Sequence, residues 1–178
     1  VKALIATAQE NGYQPELIRA IDSVNQQQKK RLSQKITDYY ANQGGVAGKT
    51  LALWGLAFKA NTDDIREAPA LDIIADLTAQ GMRIQAYDPV AGPNARQTLS
   101  ENDLVQVVDQ QYDALGGADA LAVVTDWNQF RNPDFGRIKA LLRAPIIFDG
   151  RNLYSFAVIA SQGFAYFSIG RPQIHNDR

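Results

Sequence analysis

Residues 50–69 read TLALWGLAFKANTDDIREAP, and the reading of this stretch decides the fold. Leu51, Ala52, Leu53 and Trp54 form an unbroken apolar run, the pattern of a parallel strand buried on both faces, with Trp54 in the core. Gly55 ends the run. A polar loop follows, carrying Lys59, the adjacent acids Asp63 and Asp64, and Arg66. Glu67-Ala68-Pro69 then opens a helix, with Pro69 in the first turn, where a missing N–H leaves no bond unmade. Strand, loop and helix make the first half of a nucleotide-binding unit. Its loop lies at the carboxyl end of the strand, where open α/β sheets take ligands. The loop is not G-x-G-x-x-G, whose glycines let backbone approach a pyrophosphate. Ala57, Phe58 and Lys59 stand there instead. A phosphate at this loop has to be met by side-chain charge, and Lys59 and Arg66 are the candidates.

Upstream, residues 1–10 read as the tail of a helix that stops near Asn11-Gly12. A long helix is expected over 15–40, with Pro15 in its first turn and an apolar stripe of Leu17, Ile21, Val24, Leu32, Ile36 and Tyr39. Gln28 interrupts the stripe, in a polar middle from Asn25 to Arg31. At about 1.5 Å per residue such a helix spans roughly 40 Å, longer than a small sheet domain requires. Covering a core, linking domains and pairing with a copy of itself are all compatible with it. Glycines between Gln43 and Gly48 read as a hinge, dividing the chain into 1–43 and 44–178.

Downstream, a helix is expected over 69–80, capped by Gly81, and a second strand over 83–88, stopped by Pro89. A polar, partly helical segment at 91–102 precedes a short strand at 104–108 and a helical turn within 109–117. Strands follow at 121–125, 145–149 and 164–169, with helices at 134–142 and 154–161 between them and a tail at 170–178. Strands alternating with helices predict a Rossmann-like, doubly wound parallel sheet, an α/β fold preceded by the long helix.

Net charge is −1 over 178 residues, which gives no signal for nucleic acid or another polyanion. No apolar run approaches the length that spans a bilayer, so no membrane partner is expected. The chain has no cysteine, which excludes disulfides, thiolate metal sites and a cysteine nucleophile within these residues. Val1 starts in mid-pattern without a basic leader or an initiating Met, so the expectation is a truncated chain from a cytoplasmic protein.

Several polar residues carry competing readings. Lys59 is either a solvated lysine or a ligand contact. Asp63 and Asp64 suggest metal or acid–base chemistry, but acids just before a helix more simply favour its N-terminus. Arg66 pairs with one of these acids or reaches a ligand. Asp88 ends the second strand, where a dinucleotide-binding domain keeps its ribose acid. With no glycine loop and with Pro89 next, a turn-forming role is expected. Arg151 follows Phe148-Asp149-Gly150 at another strand end, facing the same crevice as Lys59. His175, the only histidine, sits in a polar tail with no expected role.

The stretch GLAFKANTDDIREAP closely resembles the start of the C-terminal domain of UDP-glucose dehydrogenases, within the UDP-glucose/GDP-mannose dehydrogenase family. The resemblance extends over essentially the whole chain. It implies that Phe58 and Lys59 contact the nucleotide sugar, that the D-G-R arginine, Arg151, does the same, and that Arg66 reaches across a cleft to NAD. It also implies that the long helix joins two Rossmann-like domains and forms a homodimer contact. The family's catalytic cysteine and a nearby aspartate lie in a segment like G-G-S-C-F-P-K-D that would immediately precede Val1. This chain is then expected to supply no catalytic residue and no main NAD site. The family reaction oxidises a sugar C6 alcohol to a carboxylate in two NAD-dependent hydride transfers, through a cysteine-bound thiohemiacetal and thioester, for polysaccharide biosynthesis. UDP-glucose is the expected substrate. The alternatives are GDP-mannose, a UDP-N-acetylhexosamine, or a nucleotide-binding or interaction module without catalysis.

Overall fold

A computed structural model describes residues 1–175, and the end of the predicted tail, 176–178, lies outside the described residues. Among the described residues six strands build one sheet: β1 (Thr50–Trp54), β2 (Arg83–Tyr87), β3 (Val105–Val107), β4 (Ala120–Val123), β5 (Ile146–Asp149) and β6 (Ala165–Ser168). Their order is β3-β2-β1-β4-β5-β6, and every pairing is parallel. This is the doubly wound arrangement, whose direction of winding reverses between β1 and β4. Every residue of β1, β4, β5 and β6 is buried, as the apolar runs of their sequences require, whereas β2 alternates toward the β3 edge.

Seven α-helices accompany the strands among the described residues. They are α1 (Lys2–Glu10), α2 (Glu16–Tyr40), α3 (Pro69–Thr78), α4 (Gly92–Thr98), α5 (Asn128–Arg131), α6 (Phe135–Leu141) and α7 (Phe156–Ser161), with 3-10 turns at Ala41–Gln43 and Asp113–Leu115. Pro69 occupies the first turn of α3. The helix stops two residues short of the predicted end, and Gly81 takes a left-handed φ of +83° as the chain turns into β2. Asp134 caps α6, accepting from the Arg137 N–H at 2.9 Å.

The stripe on α2 divides at Gln28. Leu32, Ile36 and Tyr40 are buried in the core, and the Tyr39 ring meets Phe148 and Phe167 edge-on at 5.8 and 4.9 Å. The other half is bare: Leu17 is 73% exposed and Val24 53%. Helix α1 buries no residue at all.

Two local expectations need correction. The short helix α5 was not anticipated. It places Phe130 on Trp54, ring centroids 5.3 Å apart and stacked, so it closes the core beneath β1. The described part of the tail is not free, because Ile174 and Tyr166 exchange backbone bonds of 2.9 and 3.0 Å, and the His175 ring meets Phe167 edge-on. Among the described residues, no helix is long and apolar enough to cross a membrane.

Candidate functional site

The site is built on the carboxyl ends of β1, β4 and β5. Gly55 leaves β1 with φ +99°, and a Cβ there would lie 2.5 Å from the Cβ and the amide N of Thr125. Only glycine lets these two strand ends approach so closely. The Thr125 hydroxyl then donates to the Ala57 carbonyl at 2.7 Å. Asp88, buried at the end of β2, fixes the same loop from the other side. Its Oδ2 accepts from the Leu56 and Ala57 N–H groups and from Trp127 Nε1, at 2.8, 3.0 and 3.0 Å. Its Oδ1 accepts from the Val90 and Ala91 N–H groups at 3.0 and 2.7 Å. Asp88 therefore makes the turn read from the sequence and also anchors the loop after β1. The Phe58 N–H closes that loop on the Asp64 carbonyl at 2.8 Å, and the Phe58 side chain is left 50% exposed.

At the end of β5 the fully buried Asp149 organises the Gly150–Arg151 turn. It accepts from the N–H groups of Arg151, Leu153 and Tyr154 at 2.9, 2.7 and 3.2 Å, and from the Tyr166 hydroxyl at 2.7 Å. Burial, together with the Asp149 charge, pushes the Tyr166 and Tyr154 hydroxyls well above the ordinary tyrosine range. Gly150 lies directly under α2, where a Cβ would sit 3.1 Å from the Leu32 side chain.

These strand ends and α2 enclose a cleft of about 700 Å³. Phe58, Pro69, Gly150 and Arg151 line the sheet side, and Asn25, Gln28, Lys29 and Leu32 line the helix side. The break in the apolar stripe at Gln28 thus coincides with the wall of a polar-roofed crevice. That break was the one sequence signal for the α2 contribution.

Of the sequence-predicted site residues, the structure brings Phe58 and Arg151 to this wall. The Arg151 guanidinium is held by Asp126 at 3.2 Å, and Arg131 of α5 lies 3.7 Å from the other carboxylate oxygen. Burial raises the Asp126 pKa, but the hydrogen bond from Arg151 and the two positive charges outweigh it, so the net shift is downward. Lys59 is exposed, is not among the residues lining the cleft, and forms no ion pair among the described residues.

Arg66 also lies off the wall. Its side chain is 86% exposed and clasps Asp64 through two bonds of 2.9 and 2.8 Å. The hydrogen bonds from Arg66 bring the Asp64 carboxyl down to about 2. The helix-capping role expected for Asp63 and Asp64 is not observed. The residue before α3 is Ala68, without a side-chain cap, while Asp64 serves Arg66 and Asp63 accepts from Asn94 at 3.3 Å. The polar loop is long enough to fold on itself before the helix begins.

The switch point does not fit NAD held in the dinucleotide manner. The two amides that follow β1 already serve Asp88, and the acid that would take a ribose is turned inward. Among the described residues, no group of three His, Cys, Asp or Glu side chains is placed to hold a metal ion.

The fold and cleft together define a doubly wound α/β domain with a crevice at its switch point, walled by side chains and not by a glycine loop. Comparison with known proteins narrows this class. The family model described as "UDP-glucose/GDP-mannose dehydrogenase family, UDP binding domain" matches residues 52–156, and the chain belongs to that family. The UDP-glucose 6-dehydrogenase of Pseudomonas aeruginosa is 44% identical over 176 residues, covering 97% of this chain and 38% of its own length. The UDP-glucose 6-dehydrogenase TuaD of Bacillus subtilis is 40% identical over 172 residues, covering 97% and 36%. The solved UDP-glucose dehydrogenase of the archaeon Pyrobaculum islandicum superposes with a TM-score of 0.74 at 27% identity, over 93% of this chain and 34% of that one. The chain therefore spans a little over a third of the length of these relatives.

Proposed function

We propose that this chain is the nucleotide-sugar-binding part of a cytoplasmic, NAD-dependent UDP-glucose 6-dehydrogenase, and that the α2-roofed cleft takes UDP-glucose. The observation that carries the reading is that Phe58 and Arg151, singled out at two different strand ends, share one wall of the crevice at the switch point. Phe58 offers a half-exposed ring for stacking, and Arg151 keeps donors free beyond the one given to Asp126. Lys59 follows Phe58 with an ammonium that forms no ion pair among the described residues, suited to a diphosphate approaching from solvent. Arg66, exposed and outside the cleft lining, is the residue we assign to a contact with NAD held by a domain outside these residues. The bare N-terminal face of α2, with Leu17, Ile21 and Val24, supplies the homodimer contact, while the half of the helix beyond Gln28 packs on the unit that follows the 43/44 division.

Calorimetric titration tests the assignment. UDP and UDP-glucose are expected to bind, with GDP-mannose about tenfold weaker or more, and Arg151→Ala to lose about tenfold. Equal binding of GDP-mannose, or an unchanged Arg151→Ala, would refute it. The chain alone should produce no NADH from UDP-glucose and NAD, because covalent catalysis needs an activated nucleophile and these residues contain no cysteine.

A further inference from the structure

The wall that carries Phe58 is the irregular segment between β1 and α3, and its two ends are held differently. Its first part is bonded to the sheet through Asp88 and Thr125. Its last part meets α2 through charge. Lys29, with only 15% of its side chain exposed, lies 3.1 Å from Glu67 and 3.2 Å from Asp72 in the first turn of α3. Lys2 of α1 adds a second ammonium 2.7 Å from Glu67. Burial lowers the Lys29 pKa, but the bonds to the two carboxylates outweigh it and the net shift is upward, so the pair is ionised throughout the neutral range.

Glu67 makes these contacts from a left-handed backbone, φ +57°, which a residue with a Cβ adopts only where its surroundings impose it. Two cations from two other elements converge on its carboxylate. Ala68, the next residue, is buried, so the strained residue sits between a core contact on one side and the exposed Arg66 on the other. Lys29, Glu67 and Phe58 all line the same cleft.

We propose that Lys29 and Glu67 are positioning residues for the nucleotide-sugar site: they hold the 56–69 wall against α2 and so set the width of the cleft between Phe58 and the helix. The inference rests on the reading of this cleft as the UDP-sugar site. Neither residue is assigned a bond to the ligand. Their loss acts by letting the wall move, so Phe58 and Arg151 no longer face the ligand together.

Two measurements on the same chain test this. The first is amide hydrogen exchange without ligand. Lys29→Met and Glu67→Gln should speed exchange of the 65–69 amides about tenfold while β4 and β5 stay protected, and Lys29→Arg should restore protection. The second is titration with UDP. Lys29→Met and Glu67→Gln should bind about three- to tenfold more weakly than wild type, and Lys29→Arg should bind as wild type does. Glu67→Gly separates the latch from the strain, because it relieves the backbone while removing the carboxylate. It should fold at least as well as wild type yet bind UDP as weakly as Lys29→Met. Wild-type exchange and wild-type affinity in Lys29→Met, or full affinity in Glu67→Gly, would overturn the proposal. Should wild type itself fail to bind UDP, the site assignment falls, and the exchange measurement alone decides the latch. If Lys29→Met does not fold, Glu67→Gln and Glu67→Gly carry the test.

Discussion

Replacing Asp88 by asparagine should strongly destabilise this protein, although the two side chains have the same shape. The reason lies in the direction of its hydrogen bonds. Both carboxylate oxygens face donors only: three N–H groups on Oδ2 and two on Oδ1. An asparagine amide has one oxygen and one NH2 group. In either orientation the NH2 faces two or three N–H donors, which lose their acceptor and are pressed against a like dipole. The site is buried, with Asp88 4% exposed, so water does not readily replace the lost acceptor. A buried donor left unpaired costs about 1–3 kcal/mol, so two or three of them imply a loss of roughly 3–5 kcal/mol after partial relaxation. A domain of this kind is stable by about 5–15 kcal/mol in all, so the variant loses from about a fifth of that stability up to all of it. Asp88→Ala should be about as damaging, because asparagine gains little from being isosteric. Urea unfolding followed by tryptophan fluorescence measures this directly, since Trp54 is buried nearby and Trp127 bonds to Asp88 itself. An Asp88→Asn midpoint equivalent to less than about 1 kcal/mol of destabilisation would refute the reasoning, since one unpaired donor alone should exceed it.

Other consequences can be measured independently. Lys59→Ala should weaken UDP binding by about tenfold, and Arg66→Ala should leave it nearly unchanged, which calorimetry separates. The Asp64 carboxyl should titrate near 2, below its ordinary value of 3.8, and return toward that value in Arg66→Ala, as carbon-detected NMR would show. Because its folded pKa is the lower one, whatever stability this exposed pair adds is present above pH 3.8 and disappears as pH falls toward 2. The Tyr40, Tyr154 and Tyr166 hydroxyls are raised mainly by burial, so the stability they add is complete below about pH 10 and is lost as pH climbs through the folded values. Ultraviolet titration should then show these tyrosines ionising together with alkaline unfolding, not before it.

The sequence made the sheet legible because its central strands are buried on both faces and their apolar runs are unbroken. Leu51 to Trp54 and Ile146 to Phe148 need cover on both faces, which a parallel sheet between helix layers supplies. Phe58 and Arg151 could be singled out as candidates for a related reason: each stands just beyond such a strand, and both line the cleft at that end of the sheet. Other features were hidden because they depend on distance in space. Helix α5 is only four residues long, too short for any periodicity, and its identity rests on Phe130 reaching Trp54. The partner of Arg66 was ambiguous because two adjacent acids precede it and only the fold of the loop selects Asp64. The Lys29–Glu67 contact joins residues from two elements, and nothing in the spacing of either announces the other.

One carboxylate explains why the cleft of this fold is walled by side chains and not by a glycine loop. In a dinucleotide domain the amides after the first strand are left for a pyrophosphate, and the acid after the second is left for a ribose. Here Asp88 joins the two, donors to acceptor, inside the protein. Leu56 and Ala57 are consequently buried, and the chain first emerges at Phe58, whose ring is half exposed. The crevice therefore begins one residue further along the loop, between the strand ends and α2. That displacement gives the long helix a part in the site. Gln28 and Lys29 become wall residues, Leu32 packs on Gly150, and the polar break in the stripe falls where the crevice needs it. A substitution that freed the Leu56 and Ala57 amides would not create a dinucleotide site, because the turn at Val90 and the indole of Trp127 would lose their acceptor at the same time. The closed switch point and the side-chain-lined cleft are thus two results of the same buried acid.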